Sequence, residues 1–179
     1  MGMTLDPAIG WTLALSLGLL LASAAVHKLR DPARFRSALA GYRLLPEAAL
    51  GAAGVVVIGT ELVAAALVVL PAERPLGGAL AAALMAAYGT AIGINLLRGR
   101  TRIDCGCLGF GKSERIAWWM VWRNIALAVA ALAVRLPAAP RGLETLDWVT
   151  VTGMVAVVAL LFSTVGRLAS IPSLRRGAA

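Results

Sequence analysis

The chain has 179 residues, 60% of them apolar and 15% charged, with a mean hydropathy of +0.83. That composition lies outside the range of soluble globular domains and excludes a soluble enzyme fold. The apolar residues come in long blocks, not short alternating runs, which excludes a β-barrel and leaves spanning helices as the way to satisfy the backbone in lipid. A formal net charge of +8 would suggest nucleic acid in a soluble domain. Here basic cytoplasmic loops account for the charge, and nucleic acid is not an expected partner.

Five stretches are long enough to cross a hydrocarbon core: residues 7–26, 48–70, 75–97, 116–134 and 148–166. The first, third and fifth are free of charge, while the second holds Glu61 and the fourth holds Arg123. No Lys or Arg precedes the first stretch, and its apolar run exceeds a secretory signal core, so it reads as a retained helix. Nothing resembling a repeat or a separate soluble domain remains, and residues 1–179 are expected to form one integral membrane domain.

The positive-inside rule orients the spans. The segments between spans one and two and between spans three and four, together with the C-terminal tail, hold thirteen of the seventeen Lys and Arg. The opposite side holds three, Arg74, Arg135 and Arg141. This bias predicts an N-terminus outside a bacterial inner membrane and a cytoplasmic C-terminus. Tryptophan agrees, since indole favours the headgroup level: Trp11 and Trp148 fall at predicted outer ends, and Trp118, Trp119 and Trp122 in the first turns of span four at the inner side.

After span one, Asp31 and Pro32 provide a cap and a first helical residue, and Pro46 a stop. Phe35, Leu39 and Tyr42 fall on one face, which predicts a short helix lying on the inner membrane surface. It would serve either as a docking helix or as a plain connector.

The third connection carries the sequence Asp104-Cys105-Gly106-Cys107-Leu108-Gly109-Phe110-Gly111, with the only two cysteines of the chain. Both sit in a glycine-rich basic loop at a membrane edge, away from the spans where cysteine packs as a small hydrophobe. Arg100, Arg102, Lys112 and Arg115 are candidates to stabilise a thiolate, and Asp104 to accept a proton. Gly106 permits the bend of a very small, strained disulfide ring, and strained exposed disulfides suit thiol exchange. Two adjacent thiolates also suit Cu(I), Zn or Hg, so soft-metal capture stays open, as does a loop without chemistry. No cofactor is evident; a quinone or a soft metal is compatible with these residues.

Polar residues inside the spans converge on the same side. Glu61 at mid-depth of span two is expected to pair with Arg123, about two turns into span four. Asn124, Asn95 and His27 complete a polar cluster that supports the loop or merely locks the bundle. Gly89 and Gly93 form a G-x-x-x-G that predicts close helix packing in span three.

His27-Lys28-Leu29, Phe35, Tyr42-Arg43-Leu44-Leu45-Pro46, Glu61-Leu62, Gly99-Arg100, Asp104 to Gly109 and Arg123-Asn124 occur in order at spacings that resemble the methylamine utilisation protein MauE family, a relative of the DoxX-like membrane proteins. The resemblance runs from about His27 to Asn124, with Leu108 where members usually have Phe. It implies an all-α polytopic transmembrane bundle, a DoxX-like four-helix core plus a fifth C-terminal span. It also implies a helper in making active methylamine dehydrogenase, whose small subunit carries many disulfides and a tryptophan-derived quinone, working beside a thioredoxin-like partner. Cys105 and Cys107 would then exchange disulfides, with Asp104 and the arginines tuning thiolate formation. The rivals are a soft-metal carrier and a membrane scaffold for a thioredoxin-like protein. The charge bias puts the cysteines in the cytoplasm, whereas dehydrogenase disulfides need an oxidising compartment. One cysteine pair cannot relay electrons between thiols on opposite faces without a quinone, a moving loop or a partner with its own cysteines.

Overall fold

Proline and aspartate start the first two helices. In the computed structural model, which describes residues 4–101, 103 and 116–169 with side chains followed to Val165, α1 runs Pro7–Arg30 and α2 Pro32–Tyr42. Asp6 Oδ1 accepts from the Ala8 N–H at 2.9 Å, and Asp31 Oδ1 accepts from the Arg34 N–H at 3.0 Å. Each proline stands where a helix has no use for an N–H. Arg43, left-handed at φ 49°, ends α2. A 3-10 turn, Glu47–Ala49, leads into α3, Leu50–Val69, followed by α4, Arg74–Leu97, α5, Trp118–Ala133, and α6, Thr145–Ala169.

Among the described residues, four segments are long and apolar enough to cross a membrane: α1, Glu47–Val69, α4 and Thr145–Val165. The expected fourth span, residues 116–134, is the shorter α5 of 16 residues, about 24 Å at ~1.5 Å per residue. Its start is delayed because Ile116 is used elsewhere: its N–H bonds to the Ile103 carbonyl at 3.1 Å, and Ala117 is extended. α1, α3, α4 and α5 pack in sequence around Leu17, Leu21, Val68, Leu84 and Met85, and α6 lies along α1. The fold is therefore the all-helical bundle expected, with a four-helix core and a further C-terminal helix.

Small residues set the spacing. A Cβ on Gly77 would lie 2.3 Å from the Val68 nitrogen, and one on Gly78 2.6 Å from the Ala131 oxygen, so α4 touches the backbones of α3 and α5 at these two glycines. The expected G-x-x-x-G packing is half realised. A Cβ on Gly89 would meet the Asn124 Cβ at 3.3 Å, but one on Gly93 would meet nothing within 4 Å.

The short helix α2 turns its apolar face to the bundle. Phe35, Ala38 and Tyr42 are buried against α3 and α4, with Arg34 and Arg36 turned outward. Three apolar residues at steps of three and four make a narrow stripe, enough to close the end of a bundle.

At the other end, Leu5 pairs with the segment after α5: its N–H donates to the Pro137 carbonyl at 2.9 Å and its carbonyl accepts from the Ala139 N–H at 2.8 Å. Trp11 and Trp148 meet there, ring centroids 5.6 Å apart, so the starts of α1 and α6 share one end of the bundle as their placement in sequence implied.

Candidate functional site: a buried charged centre

Lys28 and Glu61 form an ion pair at 2.6 Å between Nζ and Oε1, with side chains 3% and 0% exposed. The Tyr88 hydroxyl donates to the same carboxylate oxygen at 2.7 Å. The Lys28 ammonium also lies 5.4 Å from the Phe35 ring centroid and 5.6 Å from that of Tyr88, so α2 caps the pair with an aromatic face. Three helices thus meet on one carboxylate and α2 reaches the pair through Phe35 over the ammonium, which makes the centre a lock between α1, α2, α3 and α4.

This corrects the expected pairing of Glu61 with Arg123. The Arg123 guanidinium packs instead on Trp119 and Phe162, 5.0 and 5.3 Å from their ring centroids, and its buried Nε has no hydrogen-bond partner. Arg123 still borders the centre, since it lines with Glu61, Lys28, Tyr88 and Asn124 a cavity of about 30 Å³. Lys28 wins because α1 continues to Arg30, four residues past the uncharged stretch, and turns Lys28 inward. Counted as a loop charge, Lys28 was missed, but a signal existed: Leu17, Leu21, Ala24 and Lys28 recur at helical steps on one buried face. Tyr88, the second missed residue, follows Ala81 and Met85 on α4 by the same steps.

The asparagines are buried but separated. Asn124 donates to the Met120 carbonyl at 2.8 Å beside the charged centre. Asn95, fully buried, donates to the Ala91 carbonyl at 3.1 Å and accepts from Arg100 Nη1 at 3.0 Å. His27 lies half-buried at the end of α1. The polar cluster is therefore two clusters, one around Glu61 and one around Arg100.

Arg100 is a strut. Besides Asn95, its Nη1 donates to the Tyr42 carbonyl at 3.2 Å and its Nη2 to the Gly41 carbonyl at 3.0 Å, where α2 ends and leaves acceptors without helical partners. Offered by the sequence as a thiolate-stabilising cation, it commits these donors to tying α2 to α4. Below it, Ile103 and Ile116 are buried with Tyr42, Ile92 and Met120. The Ile116 to Ile103 hydrogen bond joins the two residues from which the cysteine connection departs. Asp104, Cys105, Cys107, Lys112 and Arg115, like Arg102 and the basic tail, lie outside the described residues. Among the described residues no group of three or more His, Cys, Asp or Glu could hold a metal ion.

The other end carries a different charged group. Arg141 donates from Nε to Asp6 Oδ2 and from Nη1 to Asp147 Oδ2, both at 2.8 Å, in a half-exposed position. The Asp6 carboxyl is held below its ordinary range, first by the hydrogen bond from Arg141 and then by that from the Ala8 N–H. Arg141 in turn is pushed above its ordinary value by its hydrogen bonds to Asp147 and Asp6.

Fold and site together define a polytopic helical membrane protein with a buried ion pair and, between the hydrogen-bonded Ile103 and Ile116, a connection that bears the two cysteines in sequence. Residues 6–137 match the model of the family described as methylamine utilisation protein MauE, and the chain belongs to this family. It is similar to the methylamine utilization protein MauE of Paracoccus versutus, 41% identical over 172 residues that cover 94% of this chain and 91% of the relative. The protein of the same name from Methylorubrum extorquens is 42% identical over 142 residues, covering 78% and 76%, and that from Methylophilus methylotrophus 32% over 170 residues, covering 94% and 90%. No solved structure matches the chain. The family match takes in α1 to α5 and stops short of α6.

Proposed function

We propose that this chain serves methylamine utilisation as a membrane helper that matures a redox enzyme of the methylamine dehydrogenase kind by thiol–disulfide exchange at Cys105 and Cys107. In the exchange, a disulfide between the two cysteines is attacked by a client thiolate. The mixed disulfide is resolved by the client's second thiol, leaving a client disulfide and a reduced Cys105/Cys107 pair. Two electrons and two protons move to the helper, and a thioredoxin-like partner in its disulfide form takes them back by the same chemistry. The observation that supports this reading best is the anchored base of the connection. The Ile103 and Ile116 hydrogen bond, with the Arg100 strut beside it, holds both ends of a segment bearing the only two thiols of the chain. Family membership supports the pathway, since the relatives are named for methylamine utilisation.

The lopsided distribution of Lys and Arg supports a bacterial inner-membrane location with the N-terminus outside and the cysteine connection cytoplasmic, so a client oxidised outside is reached only through a quinone, a moving loop or a partner with its own cysteines. A membrane-impermeant thiol reagent should then fail to label Cys105 and Cys107 in intact cells and label them in inverted vesicles; labelling from outside reverses the orientation. The exchange is tested by a redox titration in glutathione buffers beside a Cu(I) titration of the reduced protein. A reversible two-electron transition, and a mixed disulfide trapped through Cys107 in a Cys105→Ser variant, are the expected results. Tight stoichiometric metal binding with no disulfide at any potential replaces the reading with a soft-metal carrier, and neither result leaves a scaffold for a thioredoxin-like protein.

A further inference from the structure

Beside the small cavity at the charged centre lies a much larger one of about 450 Å³ between α1, α5 and α6, with a mostly apolar wall. Leu20, Leu127 and Phe162 line both, so the apolar cleft adjoins the centre across these three side chains. Of the four hydroxyls in its wall, Ser16 Oγ is buried without a partner and three are satisfied within their own helices. Thr12, Ser23 and Ser163 donate to carbonyls of their own helices at 2.5 to 2.9 Å. At its polar end the cleft meets two unmatched partners of opposite kind: Arg123 Nε, a buried donor, and Glu61 Oε2, a buried acceptor on a side chain that is 0% exposed. Buried groups of this kind normally have partners, and both line the same small cavity.

We propose that this cleft binds an isoprenoid quinone, tail between α1, α5 and α6 and one ring oxygen at Arg123 and Glu61. The inference goes beyond the thiol reading and does not depend on it. The cleft's volume falls within the range of small-molecule sites, and its apolar wall suits a prenyl chain. The polar end selects the head. A cavity of about 30 Å³ admits an oxygen-sized group and not a phosphate. With Lys28 committed to Glu61 Oε1, an anionic head at this end would meet the Oε2 of Glu61 as well as Arg123, whereas a neutral oxygen meets no like charge. A quinone oxygen is neutral and accepts from Arg123 Nε–H; the hydroxyl of the quinol form can also donate to Glu61 Oε2, so both oxidation states find a partner. α6 packs on α1, and the cleft occupies the gap on its α5 side, which gives a lipid-borne ligand a lateral way in.

The test uses the full chain in nanodiscs of defined phospholipid and a photoreactive azidoquinone with a decyl tail, mapped by mass spectrometry after photolysis. Expected is saturable labelling of α1, α5 or α6 along the cleft, displaced by decylubiquinone and not by oleate or added phospholipid. Ala159→Phe, which fills the cleft from its exposed α6 wall, should weaken labelling at least ten-fold. Arg123→Gln should weaken it several-fold and alter displacement by the quinone alone. Where Ala159→Phe fails to fold by circular dichroism, Ala130→Leu on the α5 wall replaces it. Labelling that fails to saturate, that oleate or phospholipid displaces equally, or that a folded filled-cleft variant leaves unchanged overturns the proposal.

Discussion

The two charged groups of this bundle have nearly the same geometry and opposite physics. Lys28 and Glu61 stand 2.6 Å apart with no more than 3% exposure, while Arg141 meets Asp6 and Asp147 at 2.8 Å with its side chain 40% exposed. In the buried pair each charge has lost its water and depends on its partner, on Tyr88 and on the aromatic faces of Phe35 and Tyr88; removing one leaves an uncompensated charge in a low dielectric. In the exposed group, water can replace any partner that leaves, and salt screens what remains. Contact distance alone therefore says little about what an ion pair contributes; burial decides.

The sharpest way to break this comparison is to remove one member of the buried pair. Lys28→Met or Glu61→Leu alone should destabilise the protein by about 3 to 5 kcal/mol, read by unfolding in a denaturing detergent. The double variant should be milder than either. Additive losses in that cycle would show that the pair is not coupled. Tyr88→Phe sharpens the same point on a smaller scale: it deletes a hydrogen bond to a charged acceptor, and the loss should be about 1.5 to 3 kcal/mol. An unchanged midpoint would mean that Glu61 does not need the hydroxyl.

Between the extremes stands Arg100, half-buried, with neutral acceptors only. Arg100→Ala should cost about 1 to 3 kcal/mol through the carbonyls it leaves behind at Gly41 and Tyr42. The loss should be local: amide exchange in α2 should rise well above that in α4. Uniform loosening of the bundle would argue against a strut.

The smallest effect belongs to the exposed group. Arg141→Ala should shift the melting midpoint only slightly, and less still at high salt. The sign of its pH dependence follows from Asp6, whose folded carboxyl titrates below its ordinary 3.8. The contribution is fully present above the ordinary value and is lost as the pH falls from there through the lower folded value. Arg141→Ala should flatten that acid limb, and a limb of unchanged slope would show that Asp6 does not supply it.

Most of the architecture was legible because membrane crossing is a one-dimensional constraint. Uncharged length locates α1, α3, α4 and α6 to within a few residues, and Asp6, Pro7, Asp31 and Pro32 mark helix starts through purely local chemistry. The end of α1 was less legible, since Lys28 and Arg30 ended an uncharged run without ending a helix. The start of α5 was also late, because the backbone of Ile116 bonds across the connection to Ile103.

The sequence by itself determined that the chain is a helical membrane bundle, where its two thiols lie, and that Glu61 needs a partner. These follow from composition, spacing and the cost of a lone charge in lipid. Only the tertiary structure decided that the partner is Lys28 and not Arg123, that Tyr88 and Phe35 complete the centre, and that Arg100 ties α2 to α4. Which of several cations reaches a buried carboxylate depends on the rotation of each helix about its axis and on how closely glycines such as Gly77 and Gly78 let the backbones approach. No count of charges along the chain contains those two quantities.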